Sequence, residues 1–339
     1  MELSLYIHYP FCLRKCLYCA FNSVADAPCT PDEYLEGVLR EVDLRAGMTE
    51  PGVVAVTLYF GGGTPSLLEP CQLQRIIASA RGRYALLPDA EITLECNPGT
   101  VNREKLAAFR EAGVNRLSIG VQSFDDAILV TLGRIHNGRQ AVEAFAAARD
   151  AGFDNVGIDL IHSLPGQTCA HWERDLDRAR ELHPEHLSVY GLALEEGTPF
   201  ALLNEEGRLP LPDEEVSVAM YEKTTEILVA AGYEQYEIAN FARPGFRSRH
   251  NSGYWERRSY LGFGAGAHSY LRGHGHGRRF SNAVQAEEYL RLLFSDTLPT
   301  AESRTLSRDE AMAEFLFLGL RMTEGVRLKH FRDEFSVSF

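Results

Sequence analysis

Three cysteines, Cys12, Cys16 and Cys19, crowd into the eight residues CLRKCLYC, directly after the apolar run YIHYPF. Thiolates this close on a loop can converge on one metal centre. A structural zinc takes four protein ligands, and His8, just ahead of the triad, is the neighbour able to complete such a set. An iron–sulfur cluster is normally held by four thiolates, so three would leave one iron open to a small molecule. The plain alternative is three free cysteines that happen to cluster, which this spacing disfavours. Cys29, Cys71, Cys96 and Cys169 are scattered singly and read as ordinary packing cysteines.

A second unusual segment, GGGTPS at residues 61–66, is neither a dinucleotide fingerprint nor a phosphate-binding Walker loop. Glycines here would let the backbone approach a ligand closely, because they carry no side chain and tolerate positive φ.

These residues need a scaffold, and the sequence supplies a repeating one. Short apolar runs at residues 3–8, 53–60, 91–95, 116–121, 155–161 and 186–192 suit buried parallel strands. Helical segments lie between them. Thr30 and Glu33 have capping-box spacing with Pro31 at the first helical position, and Asn102 caps a segment ending near Ala112 and Gly113. The cysteine loop follows the first strand and GGGTPS the second. Glu95 ends the third, Gln122 follows the fourth and Asp159 lies late in the fifth. Active sites of parallel barrels are built at that end of the strands, so the expected fold is α/β, a partial (β/α)6 TIM-like barrel.

The texture changes after about residue 199. An acidic helix is expected over 213–231 and a tyrosine-rich strand over 233–238. A glycine- and histidine-rich stretch follows, and EFLFLGLRMTEGV reads as a core-facing helix and turn. The expected division is a core at 1–232 and a smaller C-terminal α+β domain at 233–339.

Composition bounds the function. With 45% hydrophobic and 24% charged residues, the 339-residue chain can bury a large core without disulfides. A net charge of −13 argues against broad nucleic-acid binding, which needs a positive surface. No apolar stretch is long enough to span a membrane, and MELSLYIHYPF lacks the build of an export signal. Seven cysteines, an odd number, disfavour a disulfide framework. The expected setting is the cytoplasm.

CLRKCLYC after YIHYPF resembles the signature of the radical S-adenosylmethionine superfamily. The resemblance implies a [4Fe–4S] cluster on Cys12, Cys16 and Cys19. The methionine amino and carboxylate groups of S-adenosylmethionine would chelate the fourth iron, and reduction of the sulfonium would give a 5′-deoxyadenosyl radical. Further matches, extending over nearly the whole chain, resemble the family of oxygen-independent coproporphyrinogen III dehydrogenase and the HemW-type haem chaperones. Taken residue by residue, that resemblance implies cofactor contact at Tyr6, Tyr18, Gly63 with Thr64, Glu95 in LECNPG and Gln122 in GVQSF. It also implies contact at Arg134 in LGRIHN, Asp159 in GIDLIHSLPGQT and Ala193 in YGLALEEGT. The chemistry is sensible: carboxylates accept hydrogen bonds from amino and hydroxyl groups, arginine pairs with a carboxylate, and Tyr18 offers a ring to adenine.

His250, Asn251, Tyr254 and Trp255 form an HNxxYW arrangement that resembles a hallmark of the HemW-type branch and implies haem binding there. A histidine beside aromatics can give haem an axial nitrogen and flat apolar surface. His268, His274 and His276 add candidate ligands. Where the dehydrogenase carries a further cysteine two positions beyond the third, this chain has Phe21, and Ala20 replaces an aspartate common in the family. The implied function is a haem chaperone, with haem-acceptor and electron-donor proteins as partners. The alternative is a radical enzyme acting on coproporphyrinogen III or a related tetrapyrrole. No residue is singled out as catalytic.

Overall fold

The apolar runs become strands and the intervening segments helices, in the expected order. The computed structural model describes residues 2–48, 52–273 and 275–337. The first half alternates β1 (Glu2–Tyr9), α1 (Pro31–Arg45), β2 (Val54–Gly62), α2 (Pro70–Tyr84), β3 (Glu91–Cys96) and α3 (Arg103–Ala112). It continues with β4 (Arg116–Gln122), α4 (Asp126–Thr131), α5 (Gly138–Asp150), β5 (Val156–His162), α6 (Cys169–Glu181) and β6 (His186–Gly191). The six strands pair in parallel and in chain order, forming the partial barrel.

Local signals act where the sequence placed them. The Thr30 hydroxyl accepts from the Glu33 N–H at 3.2 Å while the Glu33 carboxylate accepts from the Thr30 N–H at 2.8 Å, closing the capping box of α1. Asn102 accepts from the Lys105 N–H at 2.8 Å and starts α3, which ends on left-handed Gly113.

Each barrel strand has two unlike faces. Leu5, Leu58, Leu94, Leu117, Ile158 and Leu187 are buried in the main hydrophobic core with residues of the surrounding helices. The alternate positions are polar: Tyr59 on β2, Glu95 on β3, Arg116 and Ser118 on β4, Asp159 on β5, and His186 and Ser188 on β6. All of these line one interior cavity. The period of two along a strand thus sorts core from chamber.

The remaining elements are α7 (Pro199–Glu205), α8 (Glu214–Ala230), β7 (Glu234–Gln235), β8 (Asn240–Ala242), α9 (Arg249–Trp255) and β9 (Ser259–Phe263). After them come β10 (His268–Leu271), β11 (Arg278–Asn282), α10 (Ala286–Leu293), β12 (Thr300–Thr305), α11 (Arg308–Gly319) and α12 (Leu328–Phe335). The tyrosine-rich strand expected over 233–238 is only two residues long. The chain then turns so that β8 pairs antiparallel with both β7 and β6.

The expected boundary near residue 232 does not interrupt the sheet. Strand β9 pairs in parallel with β1, and β10, β11 and β12 continue that edge antiparallel, giving one 12-stranded sheet. A buried polar cluster ties this extension to α1. Glu41 and Arg45, both fully buried, pair at 2.6 Å, and Arg45 donates to Asn282 Oδ1 at 2.7 Å. Glu41 also accepts from Asn282, from the Tyr289 hydroxyl and from the Gly264 N–H. Every partner in it is hydrogen-bonded, which a buried ion pair requires.

Candidate functional site

The cysteine loop leaves β1 at the carboxyl end of the sheet and is held by its own backbone. The Cys12 N–H donates to Val24 O at 2.9 Å, Cys19 N–H to Cys16 O at 3.2 Å, and Leu17 N–H to Leu132 O at 3.1 Å. The Lys15 ammonium donates to the carbonyls of Phe21 and Ser23, each at 3.1 Å. Asn22 reaches across to the C-terminal half, donating to Ala265 O and Val284 O.

The GGGTPS loop braces this one from below. The Gly63 N–H donates to Tyr9 O at 2.7 Å and the Thr64 N–H to Phe11 O at 2.9 Å. A Cβ on Gly63 would stand 2.8 Å from the Pro10 and Phe11 carbonyl oxygens, so this glycine is demanded by the cysteine loop itself. Close approach to the neighbouring backbone is a reason for glycine here that stands beside the expected close approach to a ligand. Thr64 then points its hydroxyl at Cys12 Sγ, 3.4 Å away.

Below the loop lies a chamber of about 540 Å³. Cys12, Cys16, Cys19, Tyr18, Gly63, Thr64, Glu95, Gln122, Arg134, Asp159 and Ala193, brought together from distant parts of the sequence, all line it. Tyr6 does not. Its hydroxyl is bonded to His8 Nδ1 at 3.1 Å and its ring lies against Tyr59.

Arg134 is the pivot of the upper wall. One terminal nitrogen donates to Asn97 Oδ1 and Gly120 O, both at 2.6 Å, and the other faces Cys16 Sγ at 3.4 Å, while its buried Nε has no partner among the described residues. Gln122 sits in the left-handed region at φ 69°, a strained conformation for a residue with a side chain, and its side-chain oxygen accepts from the Tyr190 hydroxyl at 3.3 Å.

Deeper in, Glu95 accepts from the Tyr59 hydroxyl at 2.8 Å and Asp159 from the Ser118 hydroxyl at 3.0 Å. Burial pushes the Glu95 carboxyl up to about 7, against the Tyr59 hydrogen bond that lowers it. Burial likewise pushes Asp159 up to about 6, opposed by Ser118 and then by Arg116 and Arg134. Two carboxyls poised near neutrality beside free donors make a wall suited to amino and hydroxyl groups.

Tyr59, Asn97, Arg116, Ser118, His186 and Tyr190 were not singled out from the sequence. The signal for them is present in the alternation of β4, RLSIGVQ, where residues 116, 118, 120 and 122 all reach the chamber. Arg116 is fully buried, and among the described residues its Nε and Nη1 and His186 Nδ1 have no hydrogen-bond partner.

The HNxxYW stretch forms α9, which closes the opposite end of the chamber. Glu91, the first residue of β3, accepts from the N–H groups of Arg249 and His250, each at 2.9 Å. Asn251 reaches the chamber wall. His250, the expected haem ligand, is buried in the aromatic packing beneath α9 with both ring nitrogens bonded. Its ring is 1% exposed and stacks on Tyr59 at 4.8 Å. Nδ1 is bonded to Thr57 Oγ1 at 2.8 Å and Nε2 to the Tyr254 hydroxyl at 2.9 Å. Both nitrogens are spent, so neither is offered to an iron. Tyr254 packs edge-on against Tyr260, and Trp255 faces a separate cavity beside α11 and α12. His268 and His276 line neither cavity, and His274 lies outside the described residues.

The donor set discriminates among metal centres. Among the described residues no three His, Cys, Asp or Glu side chains converge on a point where one ion could sit. His8, the suggested fourth zinc ligand, has Nε2 bonded to Asn22 O at 2.7 Å and Nδ1 to Tyr6. Three thiols spread on a loop above a polar chamber fit a multi-iron cluster, in which each thiolate binds its own iron. The orphaned Arg134, Arg116 and His186 nitrogens fit a small polar ligand beneath it.

Comparison with known proteins gives the same picture. The Radical SAM superfamily pattern matches residues 6–179 and the HemN C-terminal domain pattern residues 306–339. Heme chaperone HemW of Bacillus subtilis is 39% identical over 337 residues, covering 99% of this chain and 87% of that protein. Heme chaperone HemW of Escherichia coli is 43% identical over 268 residues, covering 78% and 69%. Among solved structures, the coproporphyrinogen III oxidase HemN of Escherichia coli superposes with a TM-score of 0.83 at 25% identity, covering 99% of this chain and 79% of that one. Among the described residues no helix is long and apolar enough to cross a membrane.

Proposed function

We propose that this chain, which belongs to the radical SAM superfamily and within it to the family of the heme chaperone HemW, holds a [4Fe–4S] cluster, S-adenosylmethionine and haem and delivers haem to acceptor proteins. The observation that carries the reading is the near-full-length likeness to heme chaperones, markedly higher in identity than the likeness to the oxidase.

In this reading Cys12, Cys16 and Cys19 ligate the cluster. Together, when bound, cluster and S-adenosylmethionine supply one-electron reductive chemistry. Arg134, fixed by Asn97 and Gly120 O, places positive charge beside Cys16 for the methionine carboxylate. Glu95 and Asp159 accept hydrogen bonds from amino or ribose hydroxyl groups. Tyr18 would offer its ring to the adenine, and Ala193, Gly63, Thr64 and Gln122 would complete the wall of the cofactor site. Tyr6 supports this wall through His8 and Tyr59. An electron-donor protein would reduce the cluster at the exposed face of the loop. All seven cysteines are free, which suits a reducing compartment, and we place the protein in the cytoplasm.

The oxidase reading has the structural superposition in its favour. Against it stands Phe21, 67% exposed at the chamber rim where the resemblance puts a further cysteine in the dehydrogenase. Anaerobic reconstitution followed by absorption spectra with and without haem separates the two. Haem uptake by cluster-loaded protein, with no conversion of coproporphyrinogen III, is the expected result. Conversion without haem uptake would overturn the proposal.

A further inference from the structure

A second cavity, of about 330 Å³, lies where the end of α9 meets α11 and α12, and its wall includes Trp255, Phe315, Met322, Arg327 and His330. That volume falls at the lower end of the range for small-molecule sites. The lining mixes two aromatic rings, a thioether and an imidazole with the guanidiniums of Arg257 and Arg327 and the carboxylates of Glu256 and Glu324. His330 on α12 is exposed, and among the described residues nothing bonds to its ring. The Trp255 indole N–H is buried without an acceptor among the described residues, and the Arg321 guanidinium lies 4.2 Å from the ring centroid. Arg327 is 68% exposed, and among the described residues its guanidinium is held only by a 3.5 Å approach to Glu324.

Iron ligation by histidine needs a ring nitrogen with a free lone pair and room for a macrocycle beside it. His250 has neither, as both nitrogens are bonded inside a packed aromatic cluster. His330 has both. We propose that haem binds in this second cavity, with His330 as the iron ligand, Trp255 and Phe315 as flat apolar support and Arg327 as the partner of a propionate. His250 then serves to seat α9. The assignment rests on the haem-binding reading given above and names where that haem goes.

The test is titration of ferric haem into the untagged, cluster-reconstituted 339-residue chain, read from the Soret difference spectrum, for wild type, His330→Ala, Arg327→Ala and His250→Gln. Wild type should take up one haem. His330→Ala should move the Soret maximum and weaken binding by at least about tenfold. Arg327→Ala should weaken binding without moving the maximum, and folded His250→Gln should keep the wild-type maximum. A His330→Ala variant indistinguishable from wild type overturns the site, even if His250→Gln proves too unstable to assay. Loss of the signal in folded His250→Gln alone also overturns it. No uptake by wild type would instead sink the haem reading itself, and this site with it.

Discussion

Asn251 and Trp255, one turn apart on α9, line two different cavities: Asn251 the barrel chamber beneath the cysteine loop, Trp255 the smaller cavity beside α11 and α12. A seven-residue helix is too short to be stable by itself. It is held instead by the Ser248 cap, by the Glu91 carboxylate on its first N–H groups and by the His250 ring in the barrel floor. The HNxxYW stretch is thus a wedge between the two cavities, and changes that loosen the wedge should be felt in both.

Replacing His250 with Ala removes two buried hydrogen bonds and a ring stack, and should cost roughly 2–4 kcal/mol of stability. Burial, followed by the charges of Arg116 and Arg258, lowers the folded-state His250 to about 3, whereas the unfolded chain takes its proton near 6.5. The neutral ring therefore supports the fold fully above about 6.5, and that support is lost as pH falls towards 3. Urea unfolding of wild type should weaken across that window, and the Ala variant should show a shallower dependence. Equal slopes would count against a buried neutral ring.

Cys16→Ser should yield a colourless protein with iron and sulfide well below wild type, while its circular dichroism is unchanged. The loop's shape comes from backbone bonds such as Cys12 N–H to Val24 O, which the substitution leaves alone. Cys71→Ser, at an exposed site on α2 outside the chamber, should retain the cluster. Equal iron content in the two variants would remove the triad from the site.

Arg134→Lys keeps the charge but cannot reproduce a planar group that donates to Asn97 Oδ1 and Gly120 O while facing Cys16 Sγ. S-adenosylmethionine should bind about tenfold or more weakly, at unchanged iron content, when measured by equilibrium dialysis. An unchanged Kd would move the carboxylate partner elsewhere, with Arg116 the next buried candidate.

Folding raises the Glu95 carboxyl from 4.5 to about 7, chiefly through burial, so the folded chain holds that proton more tightly than the unfolded one. The stabilising difference is complete below 4.5 and is lost as pH rises through about 7. Above that the buried charge costs up to about 3 kcal/mol. Without ligand, Glu95→Gln should be more stable than wild type at pH 8 and no more stable at pH 4.5, by urea unfolding at each pH. It should also bind S-adenosylmethionine less tightly. A stability gain of the same size at both pH values would show that Glu95 does not carry a buried charge.

What the sequence determined by itself was local. The spacing of Cys12, Cys16 and Cys19, the alternation of apolar runs with capped helices, and the placing of Glu95, Gln122 and Asp159 near strand ends all follow from short-range geometry. The inward polar set of β4 was legible by the same rule of two, although Arg116 and Ser118 went unread. The tertiary structure decided what depends on segments far apart in the chain. It showed that Gly63 is required by the backbone of Pro10 and Phe11, that β9 extends the sheet beside β1, and that Thr57 and Tyr254 occupy both nitrogens of His250. Spacing reports which residues share a face or a loop. Whether an imidazole is free to bind a ligand depends on what the folded chain brings against it, and among the described residues both nitrogens of His250 are bonded while neither of His330's is.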